Sequence, residues 1–141
     1  MNLVSIIMTC HNGEAFLQEA LDSVIKQTYS NWELIFYDNN STDKSKAIIN
    51  GYKDDRIKYF KSEKLLNLGT IRNLSLNNCK GEYICFLDTD DYWSKFKLEK
   101  QIDKFKTNQN IDIVYSNYFE VRNKDITKKK KLCTEEIVKM K

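Results

Sequence analysis

Short continuous apolar runs alternate along the chain with longer segments in which apolar residues recur every three or four positions. Residues 4–8 (Val-Ser-Ile-Ile-Met) form an unbroken run of the kind found in a strand buried on both faces. After the polar turn His11-Asn12-Gly13, the residues Phe16, Leu17, Ala20, Leu21, Val24 and Ile25 recur at helical spacing and predict a helix ending near Gln27. Residues 32–37 predict a second strand that stops at Asp38. Asn39, Asn40, Ser41 and Thr42 then supply turn and N-cap chemistry for a helix through Ala47, Ile48 and Ile49 to about Gly51. A third strand is predicted at 57–60, a helix carrying Ile71, Leu74 and Leu76 up to Gly81, and a fourth strand at 82–87 that ends at Asp88. Residues 96–105 read as a helix and 111–119 as a last β-rich stretch, with a hairpin and a frayed helix expected in the basic remainder.

Alternating strands and helices predict an α/β fold, a parallel sheet with helices on both faces. In such sheets ligands bind beyond the carboxyl ends of the strands, where the strand order switches. Three predicted strands end in residues capable of chemistry: the first at Thr9 and His11, the second at Asp38, the fourth at Asp88 and Asp90. All three ends are expected to face one crevice.

Composition narrows the function classes. The 141 residues suit one domain with a real core, and 41% hydrophobic and 30% charged residues are ordinary for a soluble globular protein. No apolar run approaches the roughly 20 residues of a membrane helix, and no basic region precedes the first apolar run as in a signal peptide. A cytoplasmic location follows as the expectation. The formal net charge of +3 is too small to argue for nucleic acid. Lys128, Lys129, Lys130 and Lys131 make a local run, read as a solvated loop or tail, or as a patch meeting an anionic membrane surface. Cys10, Cys79, Cys85 and Cys133 lack the paired spacing of a zinc site, and a single histidine rules out a His-rich metal centre.

Asp88-Thr89-Asp90-Asp91 is the first chemical candidate. Carboxylates clustered after a buried strand repel one another unless a cation or donors compensate. A few hard oxygen ligands suit Mg2+ or Mn2+, which retain water and take further ligands from substrate phosphates, so a diphosphate would complete the site. The alternative is an acidic turn at a helix start. Asp38 is able to accept a hydrogen bond from a nucleobase N–H or to organise the turn through Asn39 and Asn40. His11 offers a planar ring for stacking on a base, or is an ordinary loop histidine. Arg72 sits near a helix start where a guanidinium would reach phosphate or base oxygens, or pair with a surface carboxylate.

The order of these motifs resembles family 2 of the glycosyltransferases, which has the GT-A fold. Residues 4–12 resemble its opening strand and base-binding turn, 20–29 its first helix, and 32–43 its second strand and acidic turn. Gly69-Thr-Ile-Arg-Asn73, the stretch 80–93 around Asp88-Thr-Asp-Asp91, and Lys97-Leu-Glu-Lys-Gln101 continue the likeness, which covers roughly residues 3–118. The resemblance implies a three-layer, mostly parallel GT-A sandwich, with a donor-binding domain over 1–120 and a basic segment over 121–141 that begins a missing acceptor half.

It also implies roles. Thr9 and His11 would border the nucleobase, His11 standing where the family usually has a stacking tyrosine. Asp38 would bind the base and Arg72 help hold it. Asp88 would contact the ribose or the metal, and Asp90 would coordinate the metal bridging the diphosphate of a sugar nucleotide such as a UDP-sugar. The acceptor would be a polysaccharide or a lipid-linked saccharide, with the protein peripheral at the inner face of the membrane. The usual prolines are replaced by Thr9 and Lys95, and Asn39 replaces a second aspartate. Inversion at the anomeric carbon needs a general base. The family places it downstream of the metal motif, so the catalytic residue is unassigned here, and a fragment with weak or absent transfer is expected. The alternative is a catalytically silent nucleotide-binding module. An aspartyl phosphatase is disfavoured because the first strand carries no acid, and a dinucleotide oxidoreductase because the first turn lacks a glycine-rich phosphate loop.

Overall fold

The computed structural model describes residues 2–108, 110–121 and the backbone of 122 and 125–130. Two compact units make up the chain, Met1–Lys97 and Leu98–Lys141. In the first, strands β1 (Val4–Cys10), β2 (Trp32–Asp38), β3 (Ile57–Lys61) and β4 (Tyr83–Phe86) alternate with helices α1 (Leu17–Ile25), α2 (Ser45–Gly51) and α3 (Leu68–Leu76). The sheet is parallel throughout, in the order β3-β2-β1-β4.

That order follows from the connections. The first two crossovers step from β1 to β2 to β3 in one direction, and the third returns past β1 to place β4 on its far side. Right-handed crossovers therefore put α1 and α2 on one face and α3 on the other. Both faces are covered, which explains why β1 and β2 read as continuous apolar runs: Ile6, Met8, Leu34 and Phe36 are fully buried. Helix α1 buries Leu17, Ala20, Leu21 and Val24, the stripe its spacing predicts. Asn67 caps α3, its side-chain oxygen accepting from the Thr70 N–H at 2.9 Å.

At the amino-terminal edge of the sheet a buried polar cluster fixes the turn into β4. Ser5 Oγ donates to Glu33 Oε1 at 2.6 Å, the same oxygen accepts from the Lys80 N–H at 2.6 Å, and Ser5 Oγ accepts from the Gly81 N–H at 2.8 Å. Helix α3 ends at Leu76, ahead of Gly81, because residues 77–80 turn through three-residue bonds such as Cys79 N–H to Leu76 C=O. Gly81 serves close approach to β1: a Cβ there would lie 2.5 Å from Ser5 N and 2.8 Å from Leu3 O.

The second unit holds α4 (Lys97–Thr107), which starts at the boundary, and an antiparallel pair, β5 (Tyr118–Arg122) and β6 (Asp125–Lys130). Residues 111–117, expected to be β-rich, form no strand; pairing begins only at Tyr118. The β-preference of Ile-Asp-Ile-Val-Tyr expresses fit to a pleated surface and makes a strand only beside a partner. The expected hairpin is present as β5 and β6, and Lys128–130 fall within it. The frayed helix, Lys131 and Cys133 lie outside the described residues.

Two predictions follow from the first unit. Gly81→Ala meets main-chain atoms that have no flexible end to yield, so it should cost about 2–3 kcal/mol, read as a lower urea midpoint at unchanged slope. Arg56 donates to both carboxylate oxygens of Asp54, at 3.0 and 2.6 Å, and lies 3.7 Å over the Trp32 ring. These bonds hold the Asp54 carboxyl below the usual carboxylate range. The pair therefore stabilises the fold above that range, and the gain is lost as pH falls through the depressed value. Arg56→Gln should cost about 1 kcal/mol at neutral pH, and part of the gap to wild type should close in urea titrations run in acid.

Candidate functional site

The carboxyl ends of β1 and β2 are joined by a lattice of short polar contacts. Two asparagines, Asn12 and Asn40, take left-handed backbone conformations with φ of 52° and 60°, reversing the chain directly after each strand. Asn12 N–H donates to Ser41 Oγ at 3.0 Å, and Asn12 Oδ1 accepts from the Thr42 N–H at 2.9 Å. Gly13 N–H donates to Ser45 Oγ, Glu14 N–H to Asp43, and Lys44 N–H back to Glu14, all within 3.0 Å. Each loop thus satisfies the main-chain donors of the other.

Asp38 anchors this lattice from inside. It is fully buried; Oδ1 accepts from the Ser41 N–H at 2.7 Å and Oδ2 from the Tyr59 hydroxyl at 2.9 Å. Burial, together with bonding to the Asp38 carboxylate, pushes the Tyr59 hydroxyl well above its ordinary range. Expected to meet a base, Asp38 is here committed to protein donors. The next residue, Asn39, is the one that lines an open cleft. Asn39 Nδ2 donates to the Leu66 carbonyl at 2.8 Å, and its Oδ1 accepts from the Leu66 N–H at 2.9 Å and the Ser62 hydroxyl at 3.2 Å. That exchange pins the segment before α3 to the end of β2.

The cleft has a volume of about 240 Å³ and is lined by Thr9, Cys10, His11, Asn39, Leu66, Leu68 and Ile71. The structure brings Thr9 and His11 together there, as their strand-end positions suggested. His11 Nδ1 lies 2.9 Å from the Asn39 carbonyl, so this nitrogen carries the proton of the neutral ring. The contact fixes the ring's orientation. Burial pushes the Cys10 thiol above its ordinary range, leaving it a neutral wall. The apolar side contributed by Leu66, Leu68 and Ile71 escaped sequence reasoning; the signal was the capping asparagine at 67, which fixes where α3 starts.

The acidic motif reaches the same edge through β4. Gly13 marks the junction: a Cβ there would sit 2.9 Å from Cys10 Sγ and 3.3 Å from Thr89 Oγ1, so only glycine lets the first turn pack against the motif. Asp91 N–H closes a turn onto the Asp88 carbonyl at 3.1 Å. Arg72 Nη2 donates to Asp88 Oδ1 at 2.8 Å, with the guanidinium 5.5 Å from the Phe86 ring centre. Arg72 and Asp88 thus form one ion pair, half-open to solvent.

Asp90 is exposed, and among the described residues no three His, Cys, Asp or Glu side chains form a group that would hold a metal ion. Burial, then the charges of Asp90 and Asp88, hold the Asp91 carboxyl above its ordinary range. With Asp88 paired to Arg72, the exposed Asp90 beside Asp91 is a small hard-oxygen donor set, of the kind that fits a divalent cation drawing its remaining ligands from water and a diphosphate.

The sequence matches the model of glycosyl transferase family 2 over residues 5–140. It is 40% identical over 127 residues to the UDP-Glc:alpha-D-GlcNAc-diphosphoundecaprenol beta-1,3-glucosyltransferase WfgD of Escherichia coli, covering 90% of this chain and 50% of that protein. It is 37% identical over 103 residues to the putative teichuronic acid biosynthesis glycosyltransferase TuaG of Bacillus subtilis, covering 72% and 41%. The chain spans about half the length of the curated relatives it matches. Among solved structures, S. aureus TarS 1–349 in complex with UDP-GlcNAc superposes with a TM-score of 0.73 at 28% identity, over 77% of this chain and 32% of that one. The mannosyltransferase PcManGT of Pyrobaculum calidifontis, in complex with GDP-Man and Mn2+, shares the fold with a TM-score of 0.70 at 19% identity, over 77% and 33%. With its strand-end cleft, its acidic motif after β4 and these likenesses, the chain belongs to glycosyl transferase family 2.

Proposed function

We propose that this chain binds the nucleotide-sugar donor of an inverting glycosyl transfer, with a UDP-sugar as the donor class and Mg2+ or Mn2+ as the cation. The observation that carries the proposal is the shared edge: the cleft of Thr9, His11 and Asn39 and the carboxylate of Asp88 stand beyond neighbouring parallel strand ends, with Arg72 reaching Asp88 from α3. The base enters between the oriented His11 ring and the apolar side of Leu66, Leu68 and Ile71. Asp88 meets the ribose or the metal's water shell, Asp90 coordinates the metal, and Arg72 holds Asp88 in place. The cation, when bound, neutralises the diphosphate as it leaves. Asp38 acts on the base indirectly, by fixing the turn that carries Asn39.

The E. coli relative is named for a glucosyl donor and a diphosphoundecaprenol-linked acceptor. By likeness, we assign this chain a lipid-linked or polysaccharide acceptor and a place at the inner face of the membrane. No helix among the described residues is long and apolar enough to cross a membrane.

Titration with UDP, followed by Trp fluorescence or calorimetry, tests the donor site. Binding should tighten at least tenfold on adding Mn2+, and Asp90→Asn should remove that gain while leaving the metal-free affinity within about twofold. Binding indifferent to both metal and Asp90 would sink the assignment.

Asp38 is tested separately. In Asp38→Asn the amide still accepts from Ser41 and is able to donate to Tyr59, so UDP affinity should fall less than about fivefold. Asp38→Ala strands both donors and should lose about 2–4 kcal/mol of stability. A loss of UDP affinity beyond tenfold in Asp38→Asn, at unchanged melting temperature, would show direct contact with the base.

A further inference from the structure

The β5–β6 pair of the second unit combines the chain's surplus positive charge with exposed aromatic residues. Tyr118 is in register with Lys130, Phe119 with Lys129 and Glu120 with Lys128. Phe119 is 56% exposed and Tyr118 43%, and Val121 beside them is exposed as well. Between residues 118 and 130 the sequence has Arg122, Lys124, Lys128, Lys129 and Lys130 against Glu120 and Asp125, a surplus of three. The formal net charge of the whole chain is +3, so outside this hairpin the charges balance.

The pleat assigns Tyr118, Lys128 and Lys130 to one face of the pair and Phe119 and Lys129 to the other, so each face joins a ring to lysine, a combination that matches the headgroup layer of an anionic bilayer when the hairpin meets it edge-on. Aromatic rings partition to that depth, and each lysine close to the surface gains roughly fivefold in partitioning. A second protein strand is a poorer occupant. The register shifts between Glu120 and Val121, and a strand of consecutive lysines disfavours edge-to-edge pairing. We propose that the β5–β6 hairpin is a docking surface for an anionic lipid bilayer. Its purpose, bringing the donor site to a lipid-linked acceptor, rests on the proposed function; its chemistry does not.

The test is co-sedimentation of the full chain with vesicles of phosphatidylcholine alone and of equal parts phosphatidylcholine and phosphatidylglycerol. Binding is expected only to the anionic vesicles and should weaken steeply with added salt. Lys128→Gln, Lys129→Gln and Lys130→Gln together should lower the partition coefficient roughly a hundredfold. Phe119→Ser should lower it severalfold while leaving the salt dependence in place. UDP titration of each variant runs in parallel, so failure of vesicle binding with UDP binding intact overturns this inference alone, and loss of UDP binding with vesicle binding intact overturns only the donor site. Equal binding to both vesicle types, a triple variant that binds like wild type, or binding to duplex DNA without vesicle binding would each overturn the hairpin's assignment.

Discussion

β1 is hydrogen-bonded in parallel on both flanks, to β2 along its whole length and to β4 along its first four residues. Every other feature of the first unit answers to that position. A strand paired on both sides and covered on both faces leaves its side chains no solvent, so its interior is apolar and polar chemistry is pushed to its two ends. At the amino-terminal end, Ser5 and Glu33 are in register on adjacent strands and bind the main chain of residues 80 and 81. At the carboxyl end, the Cys10 carbonyl of β1 accepts from the Asn39 N–H, and the turn that follows packs at Gly13 against Thr89. The cleft lies where the segment leading into α3 passes the carboxyl ends of β1 and β2.

The same constraint explains why the strand ends require asparagine and glycine. Parallel neighbours stop at one edge, and the main-chain groups just beyond it have no ladder to join. Here they bind one another's loops, with Asn12 and Asn40 supplying the left-handed reversals and the hydroxyls of Ser41 and Ser45 accepting main-chain protons. A loop edge satisfied internally is rigid, and rigidity is what orients the His11 ring through the Asn39 carbonyl.

Much of this was legible in sequence. Continuous apolar runs identified β1 and β2 because burial on both faces removes alternation, and the helical stripe of Leu17, Ala20, Leu21 and Val24 identified α1. Thr9, His11, Arg72 and Asp88 were singled out by standing at strand ends or a helix start. The fate of Asp38 was not legible. Whether a strand-end carboxylate faces a ligand or the interior depends on Tyr59, a residue 21 positions away that reaches it only once β3 pairs with β2. Asn39 was hidden for the same reason, since its partners at Ser62 and Leu66 come from the far end of β3. Residues 111–117 were misread because a local β-preference carries no information about whether a partner strand exists.

The distribution of the site along the chain bears on how binding and transfer divide between parts of the protein. Every residue assigned to the donor lies between Thr9 and Asp91, inside the unit Met1–Lys97, and each is positioned by contacts within that unit. Inversion also requires a base in line with the leaving diphosphate, and two strand-end aspartates are already engaged by protein groups: Asp38 is buried among protein donors and Asp88 is paired with Arg72. Under the proposed function, donor recognition draws on residues of the first unit.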